Sequence, residues 1–301
     1  MAVKRRQILS YRSRDGFNVD SLLTTPSASS DDDLHRIPVI INIHGVLGNF
    51  LARGTPIIFP SAMLEKGYST LSINTRMAFL GQIMGTGIFE KAADDVECSV
   101  ETLRKEGFEN IYILGYSMGA NIAVDYMAAV SDPSVKGLIL EGCSYSLPES
   151  QKKRLDRWGS IPSYDDIYKK AQSVLKPDPE TSKNDQMFVI YRAWGDSFNP
   201  SDVEIFTYKT WWFMRGPSAR RAKTCDIIGG ISVPVLFING ADDDIVFAGE
   251  PEKLKSILND SGNKSVDIEY IPGAGHDCME NAEASADVID RWIRKLEKGG
   301  N

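Results

Sequence analysis

Four short runs constrain this chain more than anything else in it: "IPVIINIHG", "NIYILGYS", "VKGLIL" and "VPVLFING". Each is almost continuously apolar and too short for a helix, the pattern of a strand buried on both faces of a sheet. Between them lie helical patterns. From Phe89 to Glu106, Ala92, Val96, Val100 and Leu103 recur at helical spacing, and Gly107 marks the end. "SAMLEKG", "MGANIAVDYMAAV" and "AGEPEKLKSILNDSG" read as further helices, and "ENAEASADVIDRWIRKLEKG" as an amphipathic closing helix. "YSTLSINTR" and "VDIEYIP" add strands, and Gln7–Arg12 and Phe17–Thr24 read as a hairpin turning at Asp15-Gly16. Strands alternating with helices imply an α/β protein whose mostly parallel sheet is flanked by helices. "TPSASSDDDLHR" reads as a polar loop.

The alternation stops between residues 145 and 230. That stretch holds four of the five tryptophans, Trp158, Trp194, Trp211 and Trp212. Between residues 146 and 230 it carries 14 Lys and Arg against 11 Asp and Glu, in a chain of net charge -7. The expected organisation is a core of residues 1–144 and 231–301 with an inserted, mainly helical cap, 145–230.

Composition narrows the function classes. Hydrophobic residues make up 42% and charged residues 25% of 301 positions, as in ordinary globular domains. The negative charge argues against nucleic-acid binding. No apolar run reaches membrane-spanning length. Cys98, Cys143, Cys225 and Cys278 lie far apart with no C-x-x-C pair. They read as free thiols of a reducing, cytoplasmic setting rather than as disulfides or a zinc site. No metal or organic cofactor is implied, and nothing in the sequence bears on oligomeric state.

The chemistry concentrates at "ILGYSMGAN", where G-x-S-x-G sits between a strand pattern and a helix pattern. A chain of this length carries about 0.1 such matches by chance, before that context is required. A serine on a tight strand-to-helix turn needs small neighbours, and Ser117 has Gly115 and Gly119. The Met118 N–H, at the helix start, is placed to receive a developing oxyanion. Such a serine needs a base. Of three histidines, His35 lies in the polar loop and His44 ends a strand. His276, in the glycine-rich "IPGAGHDCME", remains. "NGADDDIVF" offers three adjacent aspartates as an orienting acid, and Glu141 after "VKGLIL" is a rival.

Together these residues resemble the α/β-hydrolase superfamily over roughly Ile37–Gly142 and Val233–Lys295. The order Ser117, late acid, His276 is that family's order. The resemblance of "GADDDIV" to G-x-x-D-x-x-V selects Asp243. That of "HGVLGN" to the family's H-G-x segment implies the Val46 N–H as a second oxyanion donor beside Met118. It implies a serine hydrolase acting on a small or medium carboxylic ester through a Ser-His-Asp triad and an acyl-enzyme. Amide, thioester or C–C bond hydrolysis, acyl transfer, and a non-catalytic ligand-binding role on the same fold are the alternatives. "FTYKTWWFMRGP" is expected either to line the pocket with Trp211 and Trp212 or to form the cap's own core. Arg53 is a candidate for the pocket mouth, and Cys143 and Cys278 are expected to be buried and inert.

Overall fold

A computed structural model describes residues 3–27, 30–52, 55–78, 85, 87–194 and 197–299. Ten strands are described: β1 (Val3–Arg12), β2 (Asn18–Pro26), β3 (Val39–Ile43), β4 (Ser69–Ile73), β5 (Ile111–Tyr116), β6 (Val135–Glu141), β7 (Met187–Trp194), β8 (Ser197–Thr207), β9 (Val235–Gly240) and β10 (Val266–Ile271). Eight of them form one sheet in the order β1-β2-β4-β3-β5-β6-β9-β10. The six from β4 to β10 run parallel, and the β1–β2 hairpin adds an antiparallel edge.

Helices α1 (Asp31–Arg36), α2 (Thr55–Glu65), α3 (Ala92–Lys105) and α4 (Met118–Val130) follow the early strands. α5 (Leu147–Trp158), α6 (Tyr164–Val174), α7 (Tyr208–Met214) and α8 (Thr224–Ile227) lie between β6 and β9. α9 (Glu250–Asp260) and α10 (Ala282–Gly299) close the chain.

The apolar runs are continuous because the parallel strands are covered twice. On β5, Ile111 and Ile113 face one core, with Val96, Val100 and Leu103 of α3 and Ile122 and Val124 of α4. Tyr112 and Leu114 face the other, with Phe59 and Met63 of α2 and Ile289, Trp292 and Ile293 of α10. The period-2 geometry of a strand divides its residues in this way. β3 is central and β4 and β5 flank it, so the chain reverses its winding direction there. In open α/β sheets, ligands bind beyond the carboxyl ends of strands at such a switch point. β3 ends beside His44 and β5 beside Ser117.

One local reading differs from expectation. Asp31–Arg36 is a helix rather than loop, with the Ser30 hydroxyl accepting from the Asp33 N–H at 3.1 Å and three aspartates in the first turn. It buries no residue, so no apolar periodicity announced it. Between β6 and β9 the chain is mainly helical, with α5 to α8, and carries one hairpin besides. β7 and β8 pair antiparallel as a separate two-stranded sheet that puts Phe188, Ile190 and Phe206 into the core.

Candidate active site

Ser117 occupies the junction of β5 and α4 with φ 53° and ψ -120°, a left-handed backbone rare for a residue with a Cβ. Holding it there costs about 1–3 kcal/mol, which the surroundings must offset. Its N–H donates to the Glu141 carbonyl at 2.7 Å, tying the turn to β6. Glycine on either side is a matter of space. A Cβ on Gly119 would run into the backbone carbonyls of Ile43 and His44, and one on Gly115 into Gly119 and Ala120 of α4. The G-x-S-x-G spacing is thus what allows this helix to start against β3.

The loop after β10 brings His276 over the sheet. Its Nε2 lies 2.9 Å from the Ser117 Oγ, and its Nδ1 lies 2.9 Å from Asp243 Oδ2. A carboxylate at Nδ1 fixes the proton there, leaving Nε2 to accept the serine hydroxyl. Gly142, φ 60°, leaves room for the ring, since a Cβ there would sit 2.8 Å from the imidazole Cε1. The Tyr116 ring packs against the same imidazole, centroids 5.4 Å apart.

Asp243 is held from both sides. Its Oδ1 accepts the amides of Ile245 and Val246, at 2.8 and 3.0 Å. Burial pushes its carboxyl up, but the His276 hydrogen bond and charge and these two amides outweigh it and hold the carboxyl below its usual range. Asp242 and Asp244 are exposed. The rival carboxylate, Glu141, is engaged elsewhere. It is fully buried with the Cys278 thiol as its hydrogen-bond partner, and burial pushes it up to about 8.

His44 is also accounted for. Burial lowers it to about 4, so it is neutral. Its Nδ1–H donates to the Gly45 carbonyl at 2.8 Å, and its Nε2 accepts from the Thr75 N–H at 3.3 Å. It shapes the turn that carries Val46. His35, in α1, packs its ring edge-on against Phe108, centroids 5.5 Å apart. Cys143 and Cys278 are buried, and burial raises both thiols.

Ser117 and His276 open into a cavity of about 200 Å³. Val46, Leu47, Tyr116 and Ile245 line it from the core, and Leu147, Ser150, Arg154, Glu204 and Arg215 from the insertion. Trp211 and Trp212 do not line it. Trp211 is fully buried against Tyr164, centroids 5.2 Å apart, and Trp212 stacks on Tyr168 at 5.3 Å. The structure thus places these two candidate substrate contacts in the packing of α7 onto α6. Arg53 lies outside the described residues. Among the described residues no group of three His, Cys, Asp or Glu could hold a metal ion, and no helix is long and apolar enough to cross a membrane.

The family model described as serine aminopeptidase, S33 (Hydrolase_4), matches residues 67–283. The chain belongs to this α/β-hydrolase family. Solved structures agree in fold. Est1E from Butyrivibrio proteoclasticus superposes on the hydrolase with a TM-score of 0.63 at 18% identity, covering 97% of this chain and 99% of that one. The α/β hydrolase GrgF from Penicillium sp. sh18 gives a TM-score of 0.69 at 13% identity over 98% and 99% of the two chains. The Pyrococcus furiosus esterase Pf2001 gives 0.63 at 14% identity over 97% and 91%. At these identities the likeness is one of fold. A search of curated proteins returns no match.

Sequence reasoning missed Gly142, Tyr116, Arg154, Glu204 and Arg215. Tyr116 was within reach, as the residue preceding the motif serine. The last three stand on α5, on β8 and at the end of α7, and no local pattern joins them.

Proposed function

We propose that this hydrolase cleaves carboxylic esters through Ser117, His276 and Asp243. The observation that carries the reading is the unbroken hydrogen-bond chain from Ser117 Oγ through both imidazole nitrogens to the Asp243 carboxylate, opening on a cavity. In the proposed reaction His276 Nε2 takes the hydroxyl proton as Oγ attacks the carbonyl carbon. Asp243 stays ionised and stabilises the imidazolium. The amides of Val46 and Met118 receive the oxyanion, where preorganised donors do most in a site shielded from water. His276 then protonates the leaving alcohol, and water attacks the acyl-enzyme with the same base. Residues 145–230 act as a cap that supplies one wall of the pocket.

The family description raises a second reading, removal of an N-terminal residue from a peptide. Such a substrate brings an ammonium group that needs a free carboxylate. Glu204 is the carboxylate lining the cavity, and both its oxygens are taken, by Arg154 and by Gln151. With Arg215 beside it, the pocket repels an ammonium, which supports the ester. The test is kcat/KM on p-nitrophenyl esters of rising acyl length beside aminoacyl p-nitroanilides. Ester turnover that vanishes in Ser117→Ala, with no anilide turnover, is expected. Faster anilide than ester turnover would favour the peptidase.

A further inference from the structure

The cavity in front of Ser117 has a wall whose charges do not balance. Arg154 is tied down: its guanidinium donates to Gln151 Oε1 at 2.7 Å and to Glu204 Oε1 at 2.5 Å. The second Glu204 oxygen accepts from Gln151 Nε2 at 3.1 Å. One arginine and one glutamate are thereby paired. Arg215 is left over. Its backbone is fixed on two sides, with its N–H donating to the Trp211 carbonyl at 2.7 Å and its own carbonyl accepting from the Tyr164 hydroxyl at 2.7 Å. Its side chain lines the cavity yet is only 4% exposed, and among the described residues its guanidinium makes no hydrogen bond. Its Nε is buried without a partner, and so is the Nε of Arg154.

Two guanidinium groups and a single carboxylate line one cavity, which leaves one excess positive charge. Burying an unpaired ion costs several kcal/mol. Burial, and then the nearby Arg154, lower Arg215 to about 9, so it remains a cation at neutral pH. A cation kept at that cost beside a nucleophile, with its donors unused, has the features of half an ion pair. Its fork of N–H donors matches a carboxylate in geometry and charge.

We propose that Arg215, backed by Arg154, receives a carboxylate carried by the substrate, so that the enzyme selects esters bearing a negative charge over neutral ones. The proposal rests on the ester-hydrolase reading for the reaction, but the carboxylate site itself does not depend on turnover. Glu204 then has a clear part. By neutralising Arg154 and fixing its position, it leaves a net charge of one for one carboxylate.

The experiment compares p-nitrophenyl hemiesters of succinate, glutarate and adipate with p-nitrophenyl alkanoates of matched length, in the wild type and in Arg215→Met. The readout is the ratio of kcat/KM for the charged ester to that for the neutral one. In the wild type this ratio is expected to exceed one by roughly tenfold at the spacer length that reaches Arg215, the scale of one charge-assisted hydrogen-bonded contact. In Arg215→Met it should fall at least tenfold, mainly through KM. If Arg215→Met does not fold, Arg215→Lys replaces it and is expected to lose most of the preference, because an ammonium cannot present the fork. A wild-type ratio at or below one for every spacer overturns the proposal.

Binding is read separately, as the shift in melting temperature of the wild type and of the Arg215 variant with monomethyl glutarate. A rise confined to the wild type supports the site even if no ester is hydrolysed, which would sink the ester reading alone. Neither a charge preference nor a melting shift in the wild type leaves Arg215 with a packing role only.

Discussion

Asp243 bonds the His276 Nδ1 with one carboxylate oxygen, at 2.9 Å, and gathers two backbone amides with the other. The arrangement distinguishes three consecutive aspartates that composition cannot. Asp243→Asn is expected to lower kcat by about three to four orders of magnitude, because an amide at this position stabilises the wrong imidazole tautomer. Asp242→Asn and Asp244→Asn, both exposed, should each stay within roughly tenfold of wild type, as expected of turn positions. Steady-state kinetics on one p-nitrophenyl ester checks all three, and a large loss at either neighbour would refute the assignment.

Glu141 gives a pH-dependent test. Its folded pKa of about 8 lies above the value of about 4.3 expected in the unfolded chain. Its contribution to stability is therefore complete below the unfolded pKa. It is lost as pH rises through the folded pKa, since the unfolded state gives up the proton first. Urea midpoints between pH 5 and pH 8.5 should fall for the wild type and fall less for Glu141→Gln. Parallel slopes would contradict this. Glu141→Gln should also cost far less kcat than Asp243→Asn, because its carboxyl pairs with Cys278 and not with His276.

The core fold was readable because its signals are local. "IPVIINIHG", "NIYILGYS" and "VPVLFING" announce doubly buried strands, and the G-x-S-x-G spacing states a steric need that Gly115 and Gly119 meet. The insertion was unreadable because its logic is not local. Phe188 and Phe206 meet only through the β7–β8 pairing, and Arg154, Glu204 and Arg215 meet only once three elements have packed. "FTYKTWWFMRGP" could be read as pocket or as core. Packing against α6 makes Trp211 and Trp212 core, while Arg215 of the same stretch lines the cavity.

Trp211 provides the corresponding stability test. Its side chain is fully buried against Tyr164 and absent from the cavity wall. Trp211→Ala is expected to destabilise the protein by about 3–5 kcal/mol through loss of burial and the void left behind. The ranking of ester substrates should be unchanged in folded protein. Urea unfolding beside an acyl-length series measures both. A changed ranking without loss of stability would return the tryptophan to the pocket.

Arg76 ties three parts of the core together. Its guanidinium bonds the buried Asp95 of α3 at 2.7 Å and Asp15 of the β1–β2 turn at 2.7 Å. Arg76→Met leaves the Asp95 carboxylate buried and unpaired, so a loss of about 3–5 kcal/mol is expected. Urea unfolding checks it, and a loss under about 1 kcal/mol would show that the network is dispensable.

The central claim is that Ser117 is a nucleophile activated by His276, and covalent labelling tests it most directly. Wild-type protein treated with a fluorophosphonate is expected to gain one adduct, found by mass spectrometry on the peptide containing Ser117. The rate should fall by orders of magnitude in His276→Ala, which removes the base. Ser117→Ala should not be labelled at all. Adduct formation at another residue, or equal labelling in the Ser117→Ala protein, would contradict the account.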